Sequence, residues 1–345
     1  MKKTLRTICF VSMLWMALGN AFGQITFIEN DGNVSMINNE GKTVVEFQKN
    51  EDSWVLDDFK DGWGRIRVNG KTGLADENGW IVEPGDAELR IYDGFYTVTT
   101  LDPVKIMSSL GVWTRDGKCL LEPMENVYGW YGNDKVLPIK YKGNFGIMDK
   151  SGWIAEPTYD EMEWYSDDML PVRKGRLWGF FDEEGHLAIQ PQFKAVRRFN
   201  EGLAGVVVDQ KWGFIDKAGK VVIAPAYDNI DCFFEGMASV EVDGKWGFID
   251  KTGEMVIEPR FTSVDIFSEG LAAFVGDEYL WGYMDKTGKV VIEPRFETAN
   301  PFDESGRALV RIGDYETGVM GYVDRNGVFT TDETESNTID AEVDE

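Results

Sequence analysis

Histidine is nearly absent: the 345 residues contain one, His186. Zinc sites and most acid–base centres draw on several imidazoles or thiolates, so no ligand set or catalytic set announces itself. Cysteine is scarce as well, limited to Cys9, Cys119 and Cys232. Cys119 and Cys232 stand 113 residues apart, which reads as two small buried apolar side chains more readily than as a bridge. Positive charge is in deficit: 35 Lys and Arg face 60 Asp and Glu, a formal charge of −25. A nucleic-acid binder works by displacing counterions with a basic surface, which excludes DNA or RNA as main partner. An anionic membrane surface is disfavoured for the same reason. No stretch carries a helical period with caps. Gly213 to Lys220, "GFIDKAGK", is no phosphate loop: it has five residues between its glycines, lacks the following Ser or Thr, and recurs at Gly282 to Lys289. The expectation is a protein without metal or cofactor.

Apolar runs are confined to one place. Lys2, Lys3 and Arg6 precede an apolar stretch from Ile8 to Leu18, and Ala21-Phe22-Gly23 follows. A positive start, a short apolar middle and small residues before Gln24 describe a secretory signal peptide over residues 1–23. The expected location is therefore outside the cytoplasm: periplasm, outer surface or medium. No membrane span is expected in the mature chain, whose charge is −28 once the three bases are removed.

What is abundant is self-similarity. Asp250 to Phe261, "DKTGEMVIEPRF", and Asp285 to Phe296, "DKTGKVVIEPRF", agree at ten of twelve positions. A Trp-Gly dipeptide recurs at Trp178-Gly179, Trp212-Gly213, Trp246-Gly247 and Trp281-Gly282. Degenerate copies keep the frame at Thr72-Gly73, Leu110-Gly111, Phe145-Gly146, Met320-Gly321 and Val34-Ser35. The second positions (35, 73, 111, 146, 179, 213, 247, 282 and 321) mark nine units of about 35 residues filling 24–329. From 330 to 345 the chain has seven acids and no base. That composition cannot offset chain entropy, so a disordered acidic tail is expected.

Each unit reads as β-structure. "W-G-F-I-D" and "V-V-I" suit a pleated surface, and Asp-x-x-Gly between them supplies a turn with a left-handed glycine. The Pro that follows, as at Pro225 and Pro259, lacks an N–H and is expected to end the second strand. Eight residues beyond each Pro stands an aromatic, among them Phe199, Phe233, Phe267 and Phe302. "E-G-L-A-x-V" then gives a third strand. The expected fold is all-β: three-stranded antiparallel meanders stacked in an open superhelical array, with a closed β-propeller-like ring as the alternative. Trp178, Trp212, Trp246 and Trp281 are expected in the repeat core beside Gly179, Gly213, Gly247 and Gly282.

These residues resemble the WG-repeat (KWG-repeat) family of bacteria, defined by a Trp-Gly-hydrophobic-hydrophobic-Asp-x-x-Gly unit followed by "V-I-x-P". The resemblance is strong from Phe145 to Phe296 and weak at both ends. It implies a non-catalytic binding or scaffolding repeat and no defined ligand.

Four tryptophans exceed the repeat. Trp80 and Trp153 occupy the position after the turn where other units carry Lys, Glu or His, which predicts exposed rings. Trp130 and Trp164 each precede the aromatic that follows a Pro. Together the four form a candidate binding surface. The leading expectation is an exported scaffold that binds another protein. The alternative is a carbohydrate or cell-wall (peptidoglycan) binding protein, the same rings stacking on sugar. His186 follows turn Gly185, where other units carry Lys or Glu, and reads as the solvated start of a strand.

Overall fold

The computed structural model describes residues 25–59, 61–102, 107–125, 127–129, 132–276, 279–313 and 317–331. Residues 1–23, read above as a signal peptide, Trp130 and the acidic stretch beyond 331 lie outside the described residues.

The described chain folds into nine consecutive antiparallel sheets and no α-helix. Sheet 1 pairs Thr26–Asn30, Asn33–Ile37 and Thr43–Gln48. Sheets 2 to 9 follow within 54–85, 88–125, 128–159, 161–193, 203–227, 229–261, 264–296 and 298–330. Each of the nine repeat anchors lies in its own sheet. The last strand, Phe329–Thr330, reaches one residue past the expected end of the array.

Seven of the nine sheets have four strands, not three. In sheet 7 the strands are Asn229–Ile230, Met237–Val242, Lys245–Asp250 and Met255–Phe261. The extra strand comes from the segment read as a connector. It pairs over two residues, Asn229 with Glu241 and Ile230 with Val240, too few to carry an alternating pattern of their own.

Both faces of every interior sheet are apolar, and the pleat decides which neighbour each residue meets. Phe248 packs into the cluster shared with sheet 8, and the next residue, Ile249, into the one shared with sheet 6. Eight such clusters join the nine sheets in chain order, each drawn from two neighbours. Among the described residues no cluster joins sheet 1 to sheet 9. At the centre of four clusters an aromatic pair crosses from one sheet to the next. Phe180 meets Phe199, Phe214 meets Phe233, Phe248 meets Phe267 and Tyr283 meets Phe302, with ring centroids 4.7–4.9 Å apart.

The deepest residue of the motif is therefore the one after Trp-Gly. Phe180, Phe214, Phe248 and Tyr283 are at most 1% exposed, whereas Trp178, Trp212, Trp246 and Trp281 are only half-buried. This corrects the expectation that the tryptophans form the core. Trp212 and Trp281 pack at the margins of clusters, and Arg173 and Arg197 lie over the rings of Trp178 and Trp212.

The strand does not end at proline. Sheet 7 runs through Pro259 to Phe261, and its register absorbs two extra residues. Trp246 opposes Phe261 and Phe248 opposes Ile257, so Gly247 alone faces the Glu258-Pro259-Arg260 bulge. A bulge asks for no ladder hydrogen bond, which is why Pro is tolerated inside it. The bulge also explains the glycine. A Cβ on Gly247 would lie 2.3 Å from the Ile257 carbonyl oxygen and 2.7 Å from the Pro259 nitrogen. Trp-Gly and Val-Ile-x-Pro are thus two halves of one crossing.

The turns match their sequence. Asp250 Oδ1 accepts hydrogen bonds from the backbone N–H of Thr252 and Glu254 at 2.8 and 3.0 Å, and Gly253 takes φ +86°. The Thr252 hydroxyl also donates to it, and these bonds hold the Asp250 carboxyl below its ordinary range.

Replacing Gly247 by Ala forces the bulged strand away and is expected to cost about 1–3 kcal/mol. Urea unfolding followed by tryptophan fluorescence measures this; an unchanged midpoint would contradict the crossing.

Candidate functional site at the short-strand edge

The segment that leads into each of sheets 5 to 9 brings one residue to the same place. The backbone N–H of Glu163 donates to Pro171 O, that of Arg197 to Gly205 O, and that of Asp231 to Ser239 O, each eight residues on. Asn300 repeats the bond to Leu309 O. Asp265 holds the equivalent position in sheet 8, giving Glu163, Arg197, Asp231, Asp265 and Asn300 at steps of 34 or 35 residues. The next residue in each unit is Trp164, Arg198, Cys232, Ile266 or Pro301, followed by the aromatic that enters the core.

These side chains reach from unit to unit. The Arg198 guanidinium lies 5.9 Å from the centroid of the Trp164 ring. Arg197 sits over Trp212 at 5.1 Å and donates from Nε to Ile230 O and from Nη2 to Asn229 Oδ1, both at 3.4 Å. The Cys232 thiol donates to Arg198 O at 3.4 Å. Burial pushes that thiol up to about 11, helped by the Asp231 charge, so it is protonated and unreactive near neutrality.

Two carboxyls here are raised rather than lowered. Burial lifts Glu163, partly opposed by Arg198 and reinforced by Glu161. Burial lifts Asp265 too, opposed by the Ile266 N–H and reinforced by Asp231. Carboxylates held in a partly desolvated place at a cost are a mark of a site. Trp164, 47% exposed, stands at one end of the row, so an aromatic with an adjoining Arg is presented to solvent.

The other tryptophans of the candidate surface are not brought here. Trp80 and Trp153 are half-buried, correcting the expectation of exposed rings. Trp80 closes over Gly73, where a Cβ would come within 2.6 Å of the ring, and joins the cluster between sheets 1 and 2. Trp153 closes over Gly146 at 2.8 Å and joins the cluster of sheets 3 and 4. Trp113 covers Gly111 and Phe329 covers Gly321 in the same way. In all four of these units the Trp of Trp-Gly is missing, and an aromatic from elsewhere in the sheet lies over the glycine. The signal was in the sequence as a coincidence: Trp80, Trp113 and Trp153 each belong to a unit that lacks the motif Trp.

His186 lies on its turn, its backbone N–H donating to Asp182 Oδ1 at 2.8 Å. Cys119 and Cys232 are free thiols. Among the described residues no group of three or more His, Cys, Asp or Glu is placed to hold a metal ion. Among the described residues there is no helix long and apolar enough to cross a membrane.

The family described as WG containing repeat matches residues 145–178, 178–212, 212–246, 246–275 and 281–315. The chain carries five WG repeats. This WG-repeat protein has no match among curated relatives. Solved structures with a similar course include a eukaryotic initiation factor, at 10% identity and TM-score 0.43, covering 86% of this chain and 92% of that one. Kluyveromyces lactis Hsv2p aligns at 11% identity and TM-score 0.35, over 69% of this chain and 96% of its own. The C-terminal WD40 domain of Sif2 aligns at 9% identity and TM-score 0.33, over 67% and 78%.

Two outcomes follow from the geometry. Trp80→Ala and Trp153→Ala are each expected to cost about 2–4 kcal/mol by uncovering a packed glycine, while Trp164→Ala leaves stability nearly unchanged; equal effects of all three in chemical unfolding would contradict the assignment. Glu163 binds its proton more tightly folded than unfolded, so the native state holds more protons above the ordinary Glu range and loses stability as pH rises through it. Glu163→Gln should raise the thermal midpoint by about 1–2 °C at pH 7 and by nothing below pH ~4. A gain that persists in acid would refute desolvation as the cause.

Proposed function

We propose that this WG-repeat protein is a non-catalytic scaffold, exported by its N-terminal 1–23 segment, that binds another protein along the short-strand edge. The observation that supports the reading is the row Glu163, Arg197, Asp231 and Asp265, with Trp164 and Arg198 at its head. At Glu163, Arg197 and Asp231 the backbone is fixed by a repeated hydrogen bond, while the side chains change charge from unit to unit. A rigid frame carrying a variable row of charges, with a Trp–Arg pair beside it, suits recognition of a polypeptide. The export half of the proposal rests on the positive start and short apolar stretch of the first 23 residues.

The carbohydrate reading draws less support. It asked for open aromatic platforms, and Trp80 and Trp153 lie over glycines while Arg198 takes one side of Trp164.

The experiment uses residues 24–345 as bait against envelope extract, beside the double variant Trp164→Ala, Arg198→Ala. One protein retained by the parent chain and lost by the variant, with the unfolding midpoint unchanged, is the expected result. Equal retention by both baits would discard this edge. Retention of basic proteins alone, released by salt, would show simple ion exchange.

A further inference from the structure

The seam between sheets 7 and 8 holds a cavity of about 620 Å3. Its wall includes Lys245, Arg260, Thr262, Phe274, Glu293 and Pro294. The repeat itself shows what is unusual there. One unit earlier, the Lys that precedes Trp-Gly is Lys211, and its ammonium pairs with Asp228, seventeen residues on. Asp228 Oδ2 also accepts the backbone N–H of Asp243 at 3.0 Å. Lys71 and Asp86 form the comparable pair in sheet 2. Moving along by one unit, Lys211 becomes Lys245, Asp228 becomes Thr262, and Ala226 becomes Arg260. The built-in carboxylate is replaced by a hydroxyl and a second cation is added. Lys245 has no carboxylate partner among the described residues, and Arg260 is held in place by donating to Gly288 O at 2.8 Å with its guanidinium over the Phe261 ring at 4.9 Å.

We propose that this seam binds a carboxylate group, which takes between Lys245 and Arg260 the role that Asp228 plays for Lys211. Charge-assisted bonds from an ammonium and a forked guanidinium supply the recognition. Phe274 and Pro294 give the rest of the ligand an apolar wall. Glu293 on the same wall repels a second negative charge, so a monocarboxylate with an apolar body fits best. A free organic acid and an acidic side chain of a bound polypeptide share this chemistry. The proposal is independent of the short-strand edge.

Ligand-observed NMR with the chain 24–345 separates the possibilities. The probes are N-acetylphenylalanine, its amide, and a capped peptide whose only charge is one Glu. N-acetylphenylalanine should bind at millimolar concentration and the amide should not. Thr262→Asp restores the pair of the preceding unit and should weaken binding at least about tenfold while leaving the unfolding midpoint unchanged or higher. Lys245→Met, at an exposed position, should weaken it to a similar extent and stands in if the first variant misfolds. Preference for the acid supports a small-molecule site, and preference for the peptide supports a partner's Glu or Asp. Equal binding of acid and amide, undiminished binding by Lys245→Met, or no binding of either carboxylate overturns the proposal.

Discussion

The contact on which the array depends is the aromatic pair that crosses from one sheet to the next. Phe248 cannot be buried by its own sheet, whose strands lie side by side in one layer. It is buried because Phe267 opens the next sheet and closes over it. A pair of this kind adds about 0.5–1.5 kcal/mol to the burial of the two rings. Since sheet 8 needs sheet 9 for Tyr283 in turn, each unit is stable only in company. The consequence is a core divided into slabs, with both faces of each interior sheet apolar. The ends relieve that demand. Arg307 stands at the register position held by Leu271, Met237 and Leu203 in the three preceding units, and Arg311 stands where sheet 8 has Val275. With Arg307 lying over Tyr322, two positions that are aliphatic in sheet 8 are basic in the last sheet.

The acidic balance of the chain, −25 overall, does not force this stack apart because many acids are used locally. Glu201 Oε2 accepts the Gly236 N–H of the next unit at 2.9 Å and pairs with Lys251 at 3.0 Å. Glu235 repeats both contacts with Gly270 and Lys286. Arg325 continues the ion pair with Glu269 at 3.2 Å. In the sequence the Glu of "E-G-L-A" and the Lys of "D-K-x-G" look like solvated turn residues. In the fold they form a ladder that ties each turn to the unit before it. Such pairs are partly exposed and individually modest, and their bonds to backbone N–H groups matter more than their Coulomb attraction.

The repeat frame, the turns and the all-β class were legible because they are local. An Asp that caps its own turn and a Gly with positive φ act within four residues, and their recurrence fixes the unit. What was not legible depends on neighbours. The fourth strand is two residues long in most of these sheets, and Asn229-Ile230 or Glu161-Met162 shows no pattern before its partner is known. Pro259 reads as a terminator until the opposing Gly247 reveals a bulge. Trp80 and Trp153 align with lysines, which argued for exposure. Their rings are half-buried because the glycine opposite them had lost its tryptophan, a relation between two strands rather than a property of one position.

Comparing units within the one chain separates packing from recognition. Before each member of the charged row stands an apolar residue: Met162, Val196, Ile230, Val264 and Ala299. Two residues after it stands an aromatic: Tyr165, Phe199, Phe233, Phe267 and Phe302. Packing holds those positions to one chemistry. Between them the residues pass from Glu to Arg to Asp with no change in backbone, as the bonds of Glu163, Arg197 and Asp231 demonstrate. A position that the core leaves unconstrained would be filled by any polar residue if solvation were its only task. Raising Glu163 and Asp265 above their ordinary range by burial is a cost that mere solvation does not require. The seam at Lys245 follows the same logic, departing from its neighbour by two substitutions that both add to its positive character. In a fold assembled from near copies, the departures that raise the energy of the free chain are where selection for a ligand leaves its trace.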